Sequence, residues 1–333
     1  MRRGTVIFLV ISLIILGVLV NAFSTLIALL FEKGGATPID PSEIPLPGSD
    51  LSANGTQLIP KIIHQTYINA TIPNKWQEGQ QACVDLHDDY EYILWTDEKS
   101  RDFIATEYSW FLETFDSYPF PIQRADSIRY FVLDFYGGIY IDLDDGCNRP
   151  LDPLLNYPAW LRRTVPTGIS NDAMGSVPHH PFFRKVIESL EYYNRSWVLP
   201  YITVMYSTGP LFLSVLWVEY LRVDPAPEDA VRLLMPAEYK GHDYSFFNIS
   251  KGSSWHGKDA QTIFWMGKHW FLLTVAGFLI AGVIGGCLWW VWSSCVMNAG
   301  MTSNGKGGKR RPWGLWRRLS GGKGRYELVE RMA

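Results

Sequence analysis

Charged residues are missing from two long stretches of this 333-residue chain. Residues 6–30 and 270–297 contain no Asp, Glu, Lys or Arg, and each stretch is long enough to cross a bilayer as a helix. The first stretch also lacks the short apolar core and small-residue cleavage site of a secretory signal peptide. We therefore expect two membrane-spanning helices, an uncleaved signal anchor at residues 6–31 and a second span at residues 270–297.

Cysteine is scarce, with four residues in the whole chain, of which Cys287 and Cys295 lie in the second apolar stretch. Only Cys83 and Cys147 remain outside the expected spans. A disulfide between them would need an oxidising compartment, and the sequence leaves open whether it forms.

Internal repeats are absent, and the one low-complexity tract is the Gly-, Lys- and Arg-rich tail.

Basic residues are concentrated at the two ends of the chain, at residues 2–3 and in the tail after residue 305. The positive-inside rule then places residues 1–5 and 298–333 in the cytosol and everything between the spans in the lumen. The segment between the spans is acidic and has no basic patch with interleaved aromatics, which excludes nucleic acid as its partner. Four glycosylation triplets fall in this same segment and agree with the topology, beginning at Asn54, Asn69, Asn194 and Asn248.

Composition divides the lumenal part into a stem and a folded domain. Residues 32–58 are rich in Pro, Gly and Ser, which is typical of a linker. In residues 59–268, short β-prone runs alternate with helical patterns, for example a helix over 121–136 followed by the apolar run 139–141. This alternation predicts an α/β domain with a mostly parallel central sheet flanked by helices.

The run YGGIYIDLDDGC, residues 136–147, gathers Asp142, Asp144 and Asp145 directly after a wholly apolar strand. Ligands bind outside the carboxyl ends of strands in open α/β sheets. Carboxylates this close raise one another's pKa, and a hard divalent cation such as Mg²⁺ or Mn²⁺ would remove that conflict. A solvated acidic turn is the structural alternative, and a phosphatase that uses its first Asp as a nucleophile is a chemical one.

Several segments together resemble a known enzyme family. RADSIRYFVLDFYGGIYIDLD (residues 124–144) and IPKIIHQTY (residues 59–67) are similar to glycosyltransferase family 32, which includes fungal α-mannosyltransferases. DLDDGC, NDAMGS, STGP and KGSSWH resemble more closely the catalytic subunits of fungal mannosyl inositol phosphorylceramide synthases. The resemblance covers most of residues 59–265 and implies a GT-A-type nucleotide-sugar-binding fold.

The resemblance also implies roles for individual residues. Asp144 and Asp142 are expected to hold Mn²⁺ or Mg²⁺, with His256 as a further ligand, and Asp145 is the residue to test for a direct catalytic role. Donor-binding residues implied by the family are Asp126, Arg129, Trp255, Asn171 and Trp95. A core position explains Trp95 equally well, and His64 fits a buried, hydrogen-bonded residue.

The implied activity is retaining transfer of mannose from GDP-mannose to inositol phosphorylceramide at the Golgi membrane, in a glycoprotein that works with a polytopic regulatory subunit. One alternative is a Golgi α-mannosyltransferase that acts on protein-linked glycans. Another is a catalytically silent membrane scaffold or regulatory subunit. Against the scaffold, a protein without catalysis has no evident physical reason to keep repelling carboxylates at a strand end.

Overall fold

The computed structural model describes residues 3–31, 38–45, 56–165, 167–239, 241–249 and 257–301. The chain divides into two compact units, Met1–Ile263 and Phe264–Ala333.

Helices and strands alternate through the first unit, as the sequence pattern predicts. The described helices of four or more residues are α1 (Arg3–Ala22), α2 (Ser24–Phe31), α3 (Asn74–Asp85), α4 (Asp97–Glu107), α5 (Leu112–Ser117), α6 (Pro121–Tyr136), α7 (Pro181–Tyr193), α8 (Pro200–Ser207), α9 (Pro210–Leu221), α10 (Pro236–Tyr239), α11 (Lys258–Lys268) and α12 (Trp270–Met301). The described strands are β1 (Ile62–Thr66), β2 (Glu91–Trp95), β3 (Gly138–Ile141), β4 (Asp145–Cys147), β5 (Ala159–Arg163), β6 (Ile169–Ser176), β7 (Val231–Leu234) and β8 (Phe247–Ile249).

The described strands form a six-stranded sheet in the order β2-β1-β3-β6-β5-β7 and a two-stranded sheet of β4 and β8. In the larger sheet β1 is parallel to β2 and β3, and β5 is parallel to β7. β6 runs antiparallel to both β3 and β5. The predicted mixed α/β architecture with a mostly parallel sheet is therefore confirmed.

Strand β3 lies in the centre of the sheet and all four of its residues are buried. Successive side chains of a strand point to opposite faces. Tyr140 accordingly joins the apolar cluster that contains much of α6, whereas Ile139 and Ile141 join a second cluster on the other face. Helix α6 begins at Pro121 and ends before Gly137, which has a φ of 65°, so the chain turns sharply into β3 and its carboxyl end.

The N-terminal apolar stretch forms two helices, with a turn at Phe23 between α1 and α2. Helix α2 packs on the domain. Leu29 is 6% exposed, its carbonyl oxygen accepts a hydrogen bond from Thr167, and Thr25 Oγ1 accepts one from Arg222 at 3.3 Å. The last eight residues of the expected anchor at 6–31 therefore contact the domain surface.

Part of the predicted stem, residues 32–58, also belongs to the folded domain. Ile39 and Ile44 are 1% and 6% exposed, and the Ile39 amide donates to the Leu233 carbonyl at 2.8 Å. Because the segment is rich in Pro and Ser, its composition did not indicate that these two apolar side chains are buried against the domain. The description of this whole segment as a linker is wrong for residues 38–45.

Three described segments are long and apolar enough to cross a membrane, where the sequence analysis expects two: Gly4–Asn21, Pro200–Leu221 and Trp270–Ser294. The additional segment consists of α8 and α9, is interrupted at residues 208–209, and is 67% buried within the domain. None of the other two windows is buried. Length and composition alone do not separate a buried core helix from a membrane span.

Candidate active site

Asp142, Leu143 and Asp144 form a DxD motif in the turn where the chain leaves β3 and enters β4, and we call this segment the DxD turn. The Asp142 amide donates to the backbone oxygen of Asp172 on β6 at 2.7 Å, and the Asp145 amide donates to the Asp142 carbonyl at 3.0 Å. These bonds close a tight turn in which Asp142 and Asp144 are half-buried. The predicted position of the carboxylates at a strand's carboxyl end is therefore observed.

Asp142 is held from two sides. Its Oδ1 accepts a hydrogen bond from the Tyr140 hydroxyl at 2.7 Å and lies 3.2 Å from Arg129 Nη1. Burial raises the pKa of Asp142 to about 7; the Arg129 guanidinium opposes this rise and the Asp144 carboxylate adds to it. Burial likewise raises the pKa of Asp144, and the neighbouring Asp172 contributes to the rise. The turn thus concentrates carboxylates whose negative charge is only partly compensated by the protein.

Arg129 connects the DxD turn to Asp126 on the same face of α6. Arg129 Nη2 lies 3.0 Å from Asp126 Oδ1, and Nη1 donates to the Asn171 carbonyl at 2.6 Å. Asp126 is 4% exposed and also accepts hydrogen bonds from Asn171 Nδ2 at 3.0 Å and from the Thr208 hydroxyl at 3.1 Å. Asp126, Arg129 and Asn171, three of the predicted donor-binding residues, therefore form one buried network with Asp142.

An open cavity of about 300 Å³ lies beside this network, within the usual size range of small-molecule sites. Arg129, Asp142 and Asp144 line it, whereas Asp126 and Asn171 stand behind Arg129. The remaining lining residues come from β1 and the residues that follow it, from α3 and α4, from the start of α6 and from the DxD turn, namely Thr66, Tyr67, Ile68, Trp76, Asp97, Pro121, Ile122, Ala125 and Leu143. Arg129 is thus the member of the Asp126–Arg129 pair that faces the cavity.

Tyr67 and Trp76 are cavity residues that the sequence analysis missed. Their rings meet edge to face with centroids 5.9 Å apart, and Lys75 Nζ lies 4.0 Å from the Trp76 ring centroid. The Trp76 Nε1 atom is buried and has no hydrogen-bond partner within the described part of the chain. The position of Tyr67 in the sequence could have indicated its role, because it follows the carboxyl end of β1, the strand that pairs with β3.

Asp145 does not line this cavity. It is 2% exposed, forms a close ion pair with Arg162 on β5, and is not among the cavity-lining residues in the described ranges. Arg162 Nη2 also lies 3.3 Å from Asp172 Oδ2. Burial raises the pKa of Asp145, and the Arg162 guanidinium opposes this rise. Asp145 is thus a buried partner of Arg162 and does not line this cavity, and its direct catalytic role stays a prediction.

Trp95 is a core residue in this structure. It is 2% exposed, packs on Phe103 with ring centroids 5.0 Å apart, and donates its Nε1–H to His64 Nδ1 at 3.1 Å. His64 Nε2 donates in turn to the Gly137 carbonyl at 2.9 Å, and burial lowers the pKa of His64 to about 4. His64 is therefore neutral and structural, as expected, and Trp95 takes the core position that the sequence analysis left open.

The predicted site residues Trp255 and His256 lie outside the described residues. Among the described residues no group of three or more His, Cys, Asp or Glu side chains is arranged to hold a metal ion. Asp142 and Asp144 nevertheless fit a hard divalent cation, because they present carboxylate oxygens to an open cavity. Such ions commonly take one or two protein carboxylates and complete their shell with water and substrate phosphates.

Comparison with known proteins agrees with this geometry. Residues 73–160 match the family described as "Glycosyltransferase sugar-binding region containing DXD motif". Inositol phosphoceramide mannosyltransferase 2 of Schizosaccharomyces pombe is 54% identical over 243 residues, which are 71% of this chain and 70% of that protein. The chain described here belongs to the same DXD glycosyltransferase family as this Schizosaccharomyces pombe protein.

Two proteins of Saccharomyces cerevisiae are also similar. Mannosyl phosphorylinositol ceramide synthase CSH1 is 62% identical over 224 residues, 67% of this chain, and mannosyl phosphorylinositol ceramide synthase SUR1 is 55% identical over 252 residues, 75% of this chain. The chain spans 60% and 66% of the length of these two relatives. Family membership implies a nucleotide-sugar donor and, typically, a divalent cation at the DxD turn.

Proposed function

We propose that this protein transfers mannose from GDP-mannose to the inositol of inositol phosphorylceramide. The observation that carries the proposal is the 54% identity across 70% of an inositol phosphoceramide mannosyltransferase. The site supports it, because the DxD carboxylates and Arg129 line one cavity of adequate size.

Charge is the central problem of this reaction, since the leaving diphosphate gains negative charge as the sugar bond breaks. Asp142 and Asp144 would hold Mn²⁺ or Mg²⁺, which supplies Lewis-acid stabilisation of that diphosphate. Arg129 contributes a fixed positive charge at the same cavity wall, and Asp126 with Asn171 orients it. Tyr140 positions the Asp142 carboxylate.

The burial of Asp145 bears on stereochemistry. Asp145 is the carboxylate that the sequence analysis singled out as a direct participant, and it is 2% exposed and paired with Arg162. This placement supports attack of the acceptor on the same face of the sugar, with an oxygen of the donor's own phosphate taking the acceptor proton. The product would then retain the α configuration of the donor.

We further propose a two-pass arrangement in the Golgi membrane with α1 and α12 as the spans and both termini in the cytosol. The burial of residues 200–221 supports assigning them to the lumenal domain. A disulfide joins Cys83 on α3 to Cys147 on β4, which suits an oxidising lumen. Gly282 and Gly286 lie one turn apart on α12 with open space around both, a pattern that permits close packing of a polytopic regulatory subunit.

The test is mannose transfer from GDP-mannose to inositol phosphorylceramide in membranes that contain the chain, with and without Mn²⁺. Asp144→Asn should lower transfer at least about 100-fold, since stabilisation of the leaving group is lost. Asp116→Asn is the matched control, because Asp116 forms an exposed ion pair with Arg101 and such pairs contribute little to stability.

Transfer of mannose to protein-linked glycans, with none to the lipid, would replace the acceptor half of the proposal. Wild-type cellular function in the Asp142→Ala variant would favour the scaffold alternative.

A further inference from the structure

The turn between α7 and α8 exposes three consecutive apolar side chains. Trp197, Val198 and Leu199 are 48%, 98% and 40% exposed. Arg195 precedes them and is exposed, with its guanidinium 4.7 Å from the Tyr192 ring centroid. A Trp next to aliphatic residues and a basic side chain is the mixture that favours the interface of a bilayer.

This turn is held in a defined conformation. Thr203 Oγ1 accepts a hydrogen bond from the Trp197 amide at 2.9 Å and lies 3.2 Å from the carbonyl oxygens of Trp197 and Leu199. The Trp197 ring also packs edge to face on Tyr206, with centroids 5.4 Å apart. The fold therefore holds Val198 exposed to solvent. Transfer of such an exposed apolar side chain from water into an apolar environment is favourable.

This turn is bonded to a segment that precedes a candidate membrane span in the sequence. The Tyr201 amide, in the first turn of α8, donates to Asp259 Oδ2 at 2.7 Å. Only ten residues separate Asp259 from Trp270, where the apolar window Trp270–Ser294 begins. Aromatic residues enriched at the end of a span mark the membrane interface, and Phe264, Trp265, Trp270 and Phe271 occur at this end.

The same turn is connected to the candidate active site through α8. Helix α8 runs from Pro200 to Ser207, a rise of about 12 Å. At its far end the Thr208 hydroxyl donates to Asp126, which holds Arg129. A bilayer contact at the start of α8 would therefore set the height of the cavity above the lipid head groups.

We propose that Trp197, Val198 and Leu199 form a membrane-contact surface that inserts into the head-group region of the bilayer and presents the cavity to a lipid-linked acceptor. The insertion itself is independent of the activity, whereas the presentation of a lipid acceptor rests on the proposed function. The two parts are tested separately.

Insertion is measured with the full-length protein in lipid nanodiscs, on a Cys287→Ser, Cys295→Ser background. Val198→Cys carries an environment-sensitive fluorophore, and Trp110→Cys, at an exposed aromatic position between α4 and α5, is the matched control. Lipids brominated near the head group should quench the label at residue 198 and leave the label at residue 110 unchanged. Equal quenching at both positions overturns the proposal, as does a label at residue 198 that is shielded from lipid and water quenchers alike. This measurement needs neither donor nor acceptor.

Acceptor presentation is measured by steady-state transfer in vesicles. Val198→Asp should raise the KM for vesicle-borne inositol phosphorylceramide on the order of tenfold, because a charged side chain in place of the apolar one that enters the bilayer weakens the bilayer contact. Acceptor-independent hydrolysis of GDP-mannose should not change, which excludes damage to the donor site. An unaltered KM overturns this part even where the fluorescence shows insertion.

Glycan mapping supplies an independent measurement. Asn194 begins a glycosylation triplet three residues before Trp197, and a bulky polar glycan would obstruct a membrane contact there. Asn194 should therefore be unmodified in the mature protein. Full occupancy of Asn194 would contradict the proposal.

Discussion

Two arginines near the DxD turn each bridge two aspartates, yet their surroundings differ. Arg129 joins Asp126 to Asp142, and Arg162 joins Asp145 to Asp172. Both guanidinium groups are about 3% exposed. Arg129 and Asp142 line the cavity, whereas the Arg162–Asp145 pair is enclosed between β4, β5 and the rings of Tyr239 and Phe247.

Access to a ligand, not residue type, separates the two clusters. The Arg129 cluster can exchange protein contacts for contacts with a donor and a cation. In the Arg162 cluster the Asp172 side chain is 29% exposed, but the Arg162 and Asp145 side chains are only 3% and 2% exposed, so these two charges compensate one another and hold β4 against β5. We therefore expect changes in the first cluster to affect catalysis and changes in the second to affect stability.

The largest expected effect is loss of transfer in Asp142→Asn. The amide keeps the shape of the side chain but removes a carboxylate proposed to hold the divalent cation that stabilises the leaving diphosphate, which should lower kcat by on the order of 100-fold or more. Apparent thermal stability should stay unchanged or rise, because burial disfavours the charged form of Asp142. Activity assays combined with thermal unfolding in detergent test this. Retained activity in Asp142→Asn would abolish the distinction between the clusters.

Arg162→Met should have the opposite profile. It leaves Asp145 buried without its partner, and breaking a buried pair costs about 3–5 kcal/mol, equivalent to a fall in the unfolding temperature of about 10 °C. The double variant Arg162→Met, Asp145→Asn should recover part of this loss. If the unfolding temperature of the double variant is no higher than that of the single variant, the ion pair does not stabilise the fold as argued.

Removal of the disulfide is a second test of the Arg162 cluster, because Cys147 lies two residues after Asp145 on β4. Cys83→Ser with Cys147→Ser should destabilise the protein by about 2–4 kcal/mol. The thermal midpoint of the double serine variant measures the effect, with Cys287→Ser as the control. A midpoint equal to that of the wild type would show that the disulfide adds no net stability at β4.

The smallest expected effect concerns pH. The pKa of Asp142 is raised to about 7 in the folded protein, above its ordinary value of about 3.9, so the folded state binds more protons between these values. The contribution of Asp142 to stability should therefore be fully present below about pH 4 and be lost as pH rises to about 7. In chelator, the thermal midpoint of the wild type relative to that of Asp142→Asn should decrease by a few degrees over this range. An identical pH profile for both proteins would contradict the assigned environment of Asp142.

Local sequence patterns predicted most elements of the candidate site. Pro121 and the two glycines after Tyr136 delimit α6 as expected, and the apolar run after them forms β3. These features depend on backbone preferences and periodicity within about twenty residues. The same reasoning missed the anchors Ile39 and Ile44 and the third apolar segment, because burial against distant elements overrides composition.

The sequence by itself determined the strand that delivers the DxD turn, the apolar stretches at both ends of the chain and the family to which the motifs belong. The tertiary structure decided which carboxylate faces the cavity. Arg162 reaches Asp145, and Asn171 reaches Asp126 across 45 positions, because β6 runs antiparallel between β3 and β5. Strand order and direction arise from packing between distant segments, which no local periodicity records.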